Sequence, residues 1–204
     1  MRKIMSAAVF ALLPVTVMAA TESYTVDPLH TFPNFTINHL GFSTMHGRFG
    51  KTTGKLTIDK DKGTGSVEVV IDAASVNTGY DKRDDHLRSP DFLNANEFPE
   101  LTYKSTKVSI NKDSSAVVEG NLTISGVTKP VSLKVKSMHC GINPMDPKKE
   151  QYRCGFDAET TIKRSDFGMT SYVPMVGDEV KIIISTEFDN KEKPAPSPEA
   201  KKKT

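Results

Sequence analysis

NTGYDKRDDHLRSPDFLNANEFPELTYKS, residues 77–105, is the stretch on which the reading of the fold turns. It is the only part of the chain that reads as helix, and strand-like sequence flanks it on both sides. Thr78 stands as an N-cap oxygen with Asp81 three residues on, where a capping box carries its acidic or amide partner. Asp84, Asp85 and Leu87 continue a turn and a half, and Asp84 with Arg88 has the i,i+4 spacing of an ion pair. Pro90 ends the helix by pushing Ser89 out of the helical region. Beyond it, Phe92, Leu93 and Phe98 punctuate a loop too apolar to lie free in water. A short charged helix followed by such a loop predicts a plug or lid packed against something open.

What it closes follows from the flanks. Upstream, a strand over 24–26 is interrupted at Asp27-Pro28 and resumes over 32–40, where Phe35 and Ile37 alternate with polar neighbours. Pro33 in that strand marks a bulge or an edge. A turn over 41–46 leads to a second long strand over 48–59, with glycines at 47, 50 and 54 permitting curvature. Asp59–Gly65 is a turn signal, and Val67, Val69 and Ile71 alternate in a third strand. Downstream, strands are predicted over 101–110, 116–125, from 130 past Val135, over 153–163 and over 179–188. That makes eight strands joined mainly by short turns, with one helix inserted after the third. Short sequential connections favour antiparallel neighbours. Eight such strands close into a barrel able to hold one ligand, or stack as an open sandwich.

The chain opens with Arg2 and Lys3, an apolar run from Ile4 to Met18, and Ala19-Ala20, the layout of a secretory signal peptide over residues 1–20. Pro14 breaks the run, and no later stretch approaches the length of a membrane span. The reading is an exported protein whose single domain covers 21–189. Residues 190–204, NKEKPAPSPEAKKKT, are Pro- and Lys-rich and predict a disordered tail. Its lysines suit transient contact with an anionic membrane surface, although solvation explains the same composition. Removing Arg2 and Lys3 from the 27 basic side chains balances the 25 acidic ones, so no basic footprint for nucleic acid is present.

Cys140 and Cys154 predict a disulfide in an oxidising compartment, closing a loop worth roughly 3 kcal/mol at about 15 residues. Their spacing fits neither a CxxC redox site nor haem attachment. No GxSxG, HExxH, P-loop or GxGxxG motif is present, which points away from an enzyme. The five histidines form no HxH or HxxxH pair, so no metal and no cofactor are expected. Asp84, Asp85 and His86 have acid/base chemistry in principle, and a solvated helix accounts for them equally. The sequons at Asn34 and Asn121 fall inside predicted strands. There are 10 Phe and 8 Met with no Trp, and several of them cluster near predicted strand ends and loops, which suits an elongated apolar guest.

Four segments, residues 30–49, 83–106, 120–135 and 162–169, together resemble the signature of the YceI-like family of bacterial periplasmic proteins, in order and at matching spacing. The resemblance implies an extended eight-stranded antiparallel barrel, lipocalin-like, with the helix near one end. It implies binding of a long isoprenoid or acyl amphiphile: an isoprenoid quinone, a polyprenyl phosphate or a fatty-acid derivative. No catalytic reaction carries over. From position in these motifs the tunnel lining is placed on Phe35, Ile37, Phe49, Leu87, Phe92, Phe167 and Met169. Head-group contacts are placed on His30, His39, Arg83, Asp84, His86 and Arg88. A homodimer is compatible with the sequence, and no residue pattern decides it.

Overall fold

Residues 21–190 are described by a computed structural model, so the expected signal peptide and all of the expected tail except Asn190 lie outside the described residues. Period-2 alternation in β-branched and aromatic residues builds eleven strands there. They are β1 (Glu22–Val26), β2 (Phe32–His39), β3 (Ser43–Phe49), β4 (Thr52–Asp59), β5 (Thr64–Asp72) and β6 (Val76–Asn77). After the α-helix α1 (Asp81–Arg88) come β7 (Glu100–Ile110), β8 (Ala116–Ile124), β9 (Val127–Ile142), β10 (Tyr152–Lys163) and β11 (Val176–Asn190). All belong to one antiparallel sheet in the order β1-β4-β5-β7-β8-β9-β10-β11-β2-β3-β6, with β1 paired back onto β11. The result is an eight-stave lipocalin-like barrel, because β1 with β2, β3 with β4, and β5 with β6 each form one bent stave.

The bends correct one expectation. The helix follows the sixth strand, not the third, because each of the first three staves is broken in two. The first bends over residues 27–31 yet stays tied to β11: the Asp27 amide donates to the Glu187 carbonyl at 2.8 Å, and Thr31 Oγ1 accepts from the Glu187 amide at 3.1 Å. At the second, the Gly50 amide donates to the Ser75 carbonyl at 3.0 Å. The third contains a 3₁₀ turn, Ala73–Ser75, whose Ala74 amide is capped by Asp72 at 2.9 Å. The turn expected over 41–46 is also shorter: Leu40 and Gly41 take positive φ values of 58° and 75°, and β3 starts at Ser43. A tight left-handed turn of this kind lets β2 pair with β3 from His39↔Ser43 onward. Pro33 pairs with Ile184 one residue outside that β2–β3 ladder, where no partner needs its missing N–H.

The two ends of the barrel differ. The helix, its following loop, the Leu40–Phe42 turn and residues 164–175 gather at the upper end. The lower end is packed by Tyr24, Leu56, Ile58, Cys154 and Phe188. Cys140 and Cys154 are disulfide-bonded there, directly opposite in the β9–β10 register. Arg153 adds an ionic seam, its Nε donating to Asp189 at 2.6 Å and its Nη2 to Asp27 at 2.7 Å, with Nη1 on Glu187. One guanidinium on β10 thereby ties β11 to the bend that follows β1.

Burial alone would raise the Asp27 carboxyl, but hydrogen bonds from His30 and the Leu29 amide, with the charge of Arg153, outweigh it and hold the group below the usual carboxylate range. A depressed folded-state value contributes stability above the unfolded value of about 3.9, lost as pH falls through the folded value. Arg153→Met is expected to cost about 2 kcal/mol at pH 7 in urea unfolding. The deficit against the parent should shrink below about pH 4 as the stranded carboxylates protonate; a pH-independent deficit would mean that lost packing, not charge, is responsible.

Candidate ligand-binding site

The inward-facing side chains of the staves surround a cavity of about 600 Å³, within the ordinary range for small-molecule sites. Its wall is aliphatic and aromatic through the barrel's length, from Val69, Leu101 and Ile162 down to Ile58 and Phe188. Room comes from small residues at inward positions, Ala116 and Ala158. Below, the rings of Phe156 and Phe188 meet edge to face at 5.8 Å and help to close the cavity. As Thr31 and Thr52 do, Tyr103 brings a buried hydroxyl to the wall. It donates to the carbonyls of Val118 at 2.9 Å and Val131 at 3.0 Å, and burial pushes its phenol well above its ordinary value. Its ring lies over Gly120, where a Cβ would come within 2.6 Å of the phenol.

The upper end is roofed by α1 and its loop, pinned by side chain to backbone bonds. The capping expected at Thr78 takes another form: Tyr80 is the N-cap without a side-chain bond, and Thr78 instead donates its amide to buried Asp84 at 2.9 Å. Arg83 folds back onto Thr78, with Nε on Oγ1 at 2.7 Å and Nη2 on the carbonyl at 2.9 Å. Arg88 pairs with Asp85 rather than Asp84, and grips the carbonyls of Ala74 at 2.8 Å and Val76 at 3.1 Å. Farther on, Ser125 Oγ donates to the Leu93 carbonyl at 3.1 Å, and the Phe98 ring packs on Gly126.

Helix and β10–β11 segment meet at the mouth through aromatic contacts. His86 lies edge-on to Phe92 at 5.1 Å and to Tyr172 at 5.7 Å, while Phe92 and Tyr172 stack at 6.0 Å. Arg164 sits behind them, almost fully buried, its Cζ 5.8 Å from the Phe92 ring centre. It holds residues 164–177 by donating to the carbonyls of Gly177, Met169 and Val176 at 2.9, 2.7 and 3.0 Å. Burial lowers its guanidinium value, against the opposing charge of Asp178.

Of the expected tunnel residues, Phe35, Ile37, Phe49, Leu87, Phe92 and Met169 line the cavity. Phe167 does not; it is buried in the packed core beside it. Of the expected head-group residues, His39, Arg83 and His86 stand on the wall near the mouth. The other three are elsewhere. Asp84 is consumed by Thr78, Arg88 by the carbonyls of the third stave, and His30 lies outside the barrel, 2.7 Å from Asp27. Tyr103, Arg164 and His46 were not anticipated as wall residues. Tyr103 carried a signal, its inward place in an alternating strand, whereas Arg164 looked like any charged residue after a strand. Among the described residues, Asp27, His30 and Glu187 could together offer ligand atoms to a metal ion. Arg153 already occupies both carboxylates, so a cation would have to displace it.

Phe35 faces Gly47 across the β2–β3 ladder, and a Cβ at Gly47 would lie 2.2 Å from the ring. Gly47→Ala is expected to displace the ring, costing about 1–3 kcal/mol by overpacking and weakening a fluorescent fatty-acid probe several-fold. Unchanged probe affinity would show that the ring does not shape the cavity.

Protein YceI of Salmonella arizonae is 42% identical over 180 residues, covering 87% of this chain and 92% of that relative. A YceI protein of Campylobacter jejuni has the same fold with TM-score 0.65 at 28% identity, over 76% of this chain and 90% of that one. A polyisoprenoid binding domain from Saccharophagus degradans superposes with TM-score 0.60 at 17% identity, over 83% of this chain and 99% of its own. The YceI-like domain matches residues 24–188, essentially the whole barrel, and the chain belongs to the YceI-like family.

Proposed function

We propose that this protein is a periplasmic carrier that holds the hydrocarbon of a long isoprenoid or acyl amphiphile in its barrel, for storage, shielding or transport. The observation that carries the reading is the cavity itself, predominantly apolar along its length, with its histidines and arginines among the lining residues of the upper end. Each methylene-sized unit withdrawn from water contributes roughly 0.8 kcal/mol. An elongated guest therefore gains affinity with length and needs few polar contacts. The Saccharophagus degradans domain of the same fold is named for polyisoprenoid binding, which agrees with this chemistry.

The head group belongs at the upper end. His39, His46, Arg83 and His86 line the cavity there, with Arg164 behind Phe92. These groups suit the oxygens of an isoprenoid quinone, a polyprenyl phosphate or a fatty-acid derivative, with Phe35, Ile37, Phe49, Leu87 and Met169 against the chain. Binding rather than catalysis fits a wall whose polar groups are spent on structure: Arg83 on Thr78, Tyr103 on two carbonyls. In this reading residues 1–20 direct export and 21–189 form the carrier.

The test is native mass spectrometry of the protein purified from its own periplasm, followed by solvent extraction. A stoichiometric long-chain lipid is expected, and Ala158→Phe, which fills the cavity from one wall, is expected to lose that mass while staying folded. A lipid-free wild type whose melting temperature does not rise on adding quinone or fatty acid would overturn the proposal.

A further inference from the structure

The two longest runs of the described chain without Asp, Glu, Lys or Arg are residues 28–47 and 167–177. They meet at the upper end, where the Leu40 amide donates to the Met175 carbonyl at 2.9 Å and His39 pairs with Val176. Their tips carry large apolar side chains into solvent: Phe42 is 89% exposed, Met175 60%, Tyr172 47% and Leu40 46%, with Val173 beside them. Leu40 and Tyr172 also line the cavity, so one apolar surface runs without interruption from the barrel interior over the rim to Phe42 and Met175.

We infer that this rim docks on a phospholipid bilayer, so that a lipid passes between membrane and barrel without crossing water. The inference rests on the carrier reading for its purpose, but not for its geometry. Neither run contains a carboxylate to oppose an anionic lipid surface, and the histidines at 39 and 46 are the titratable groups nearest the tips within them. The neighbouring elements carry charged side chains that include Arg83, Asp85, Arg88 and Asp91 on the helix and its loop, and Arg164, Asp166 and Asp178 from the end of β10 into the start of β11. Asp85 pairs with Arg88, Asp91 with His86, and Asp178 with Ser165, which leaves the apolar tips as the forward feature. At about 200 Å² for a fully exposed large side chain, the five tips present on the order of 500 Å². That is less than the roughly 800 Å² each partner gives to a stable protein interface. It does match the shallow insertion of a few apolar groups among lipid head groups.

Phe42 and Met175 are outside the cavity wall, so they can be changed without altering it. The test is flotation of purified protein with phosphatidylethanolamine–phosphatidylglycerol vesicles free of quinone. The wild type is expected to float with the vesicles, and Phe42→Ser/Met175→Ser to lose about tenfold or more in apparent affinity. Ile142→Ser/Met145→Ser, which removes exposed apolar groups at the opposite end, is expected to bind as the wild type does. A wild type that ignores vesicles overturns the inference, as does equal binding by the rim variant. So does a wild-type dimer that the rim variant splits, which would make the patch a contact between two copies. Native mass spectrometry of the same samples separates the two readings. Lipid-free protein that still floats through Phe42, and whose melting temperature does not rise with quinone or fatty acid, sustains docking and removes the carrier reading, whereas lipid-loaded protein indifferent to vesicles does the reverse.

Discussion

Strand β11 carries the closure of the sheet. Its first half pairs with β2, its last residues pair with β1, and β10 runs the length of its other edge. Unpaired backbone groups along a strand edge facing an apolar interior would be costly, so each edge has to find a partner. The bend over residues 27–31 is what allows one stave to follow β11 along two directions. Thr31 covers the bend by lending a hydroxyl where the ladder lacks a backbone partner. Loss of that closure would open the cavity to water along its side as well as at its mouth.

The ends divide the remaining work. Below, aromatic packing, a disulfide and the Arg153 seam make a floor from side chains that contact one another. Above, Arg83, Arg88, Arg164 and Ser125 hold chain to chain by donating to backbone carbonyls. Arginines used this way fix the positions of loops while leaving the centre of the opening unfilled. The same choice explains why several charged residues in the family-like motifs are structural, although their sequence context suggested a ligand.

Strand alternation made the barrel legible: Phe35 and Ile37 alternate with polar neighbours, and these two, with Phe49 placed by its position in a family-like motif, stand on the cavity wall. The helix was legible from Pro90 and the charged run before it, but its cap was not. Thr78 has the right type and spacing for a capping box, and only the backbone path shows that Asp84, not Asp81, reaches back to it. Arg88 and Arg164 were misread or missed for a related reason. A guanidinium bound to carbonyls leaves no pattern in sequence, since any residue supplies a carbonyl. Phe167 shows the limit of aromatic position as a guide: one turn of 3₁₀ helix aims it into packed core instead of open space.

The cysteine pair has a bearing on the life of the chain before it reaches its destination. The bridge closes a segment of 14 residues in sequence separation and contributes roughly 3 kcal/mol, a sizeable part of the 5–15 kcal/mol typical of a domain. A chain made in a reducing cytoplasm and oxidised after export lacks that contribution for as long as it remains inside. The reduced chain is then the looser of the two forms. Tightening comes only when Cys140 and Cys154 are oxidised, and until then the strands they join, β9 and β10, are held by their ladder alone.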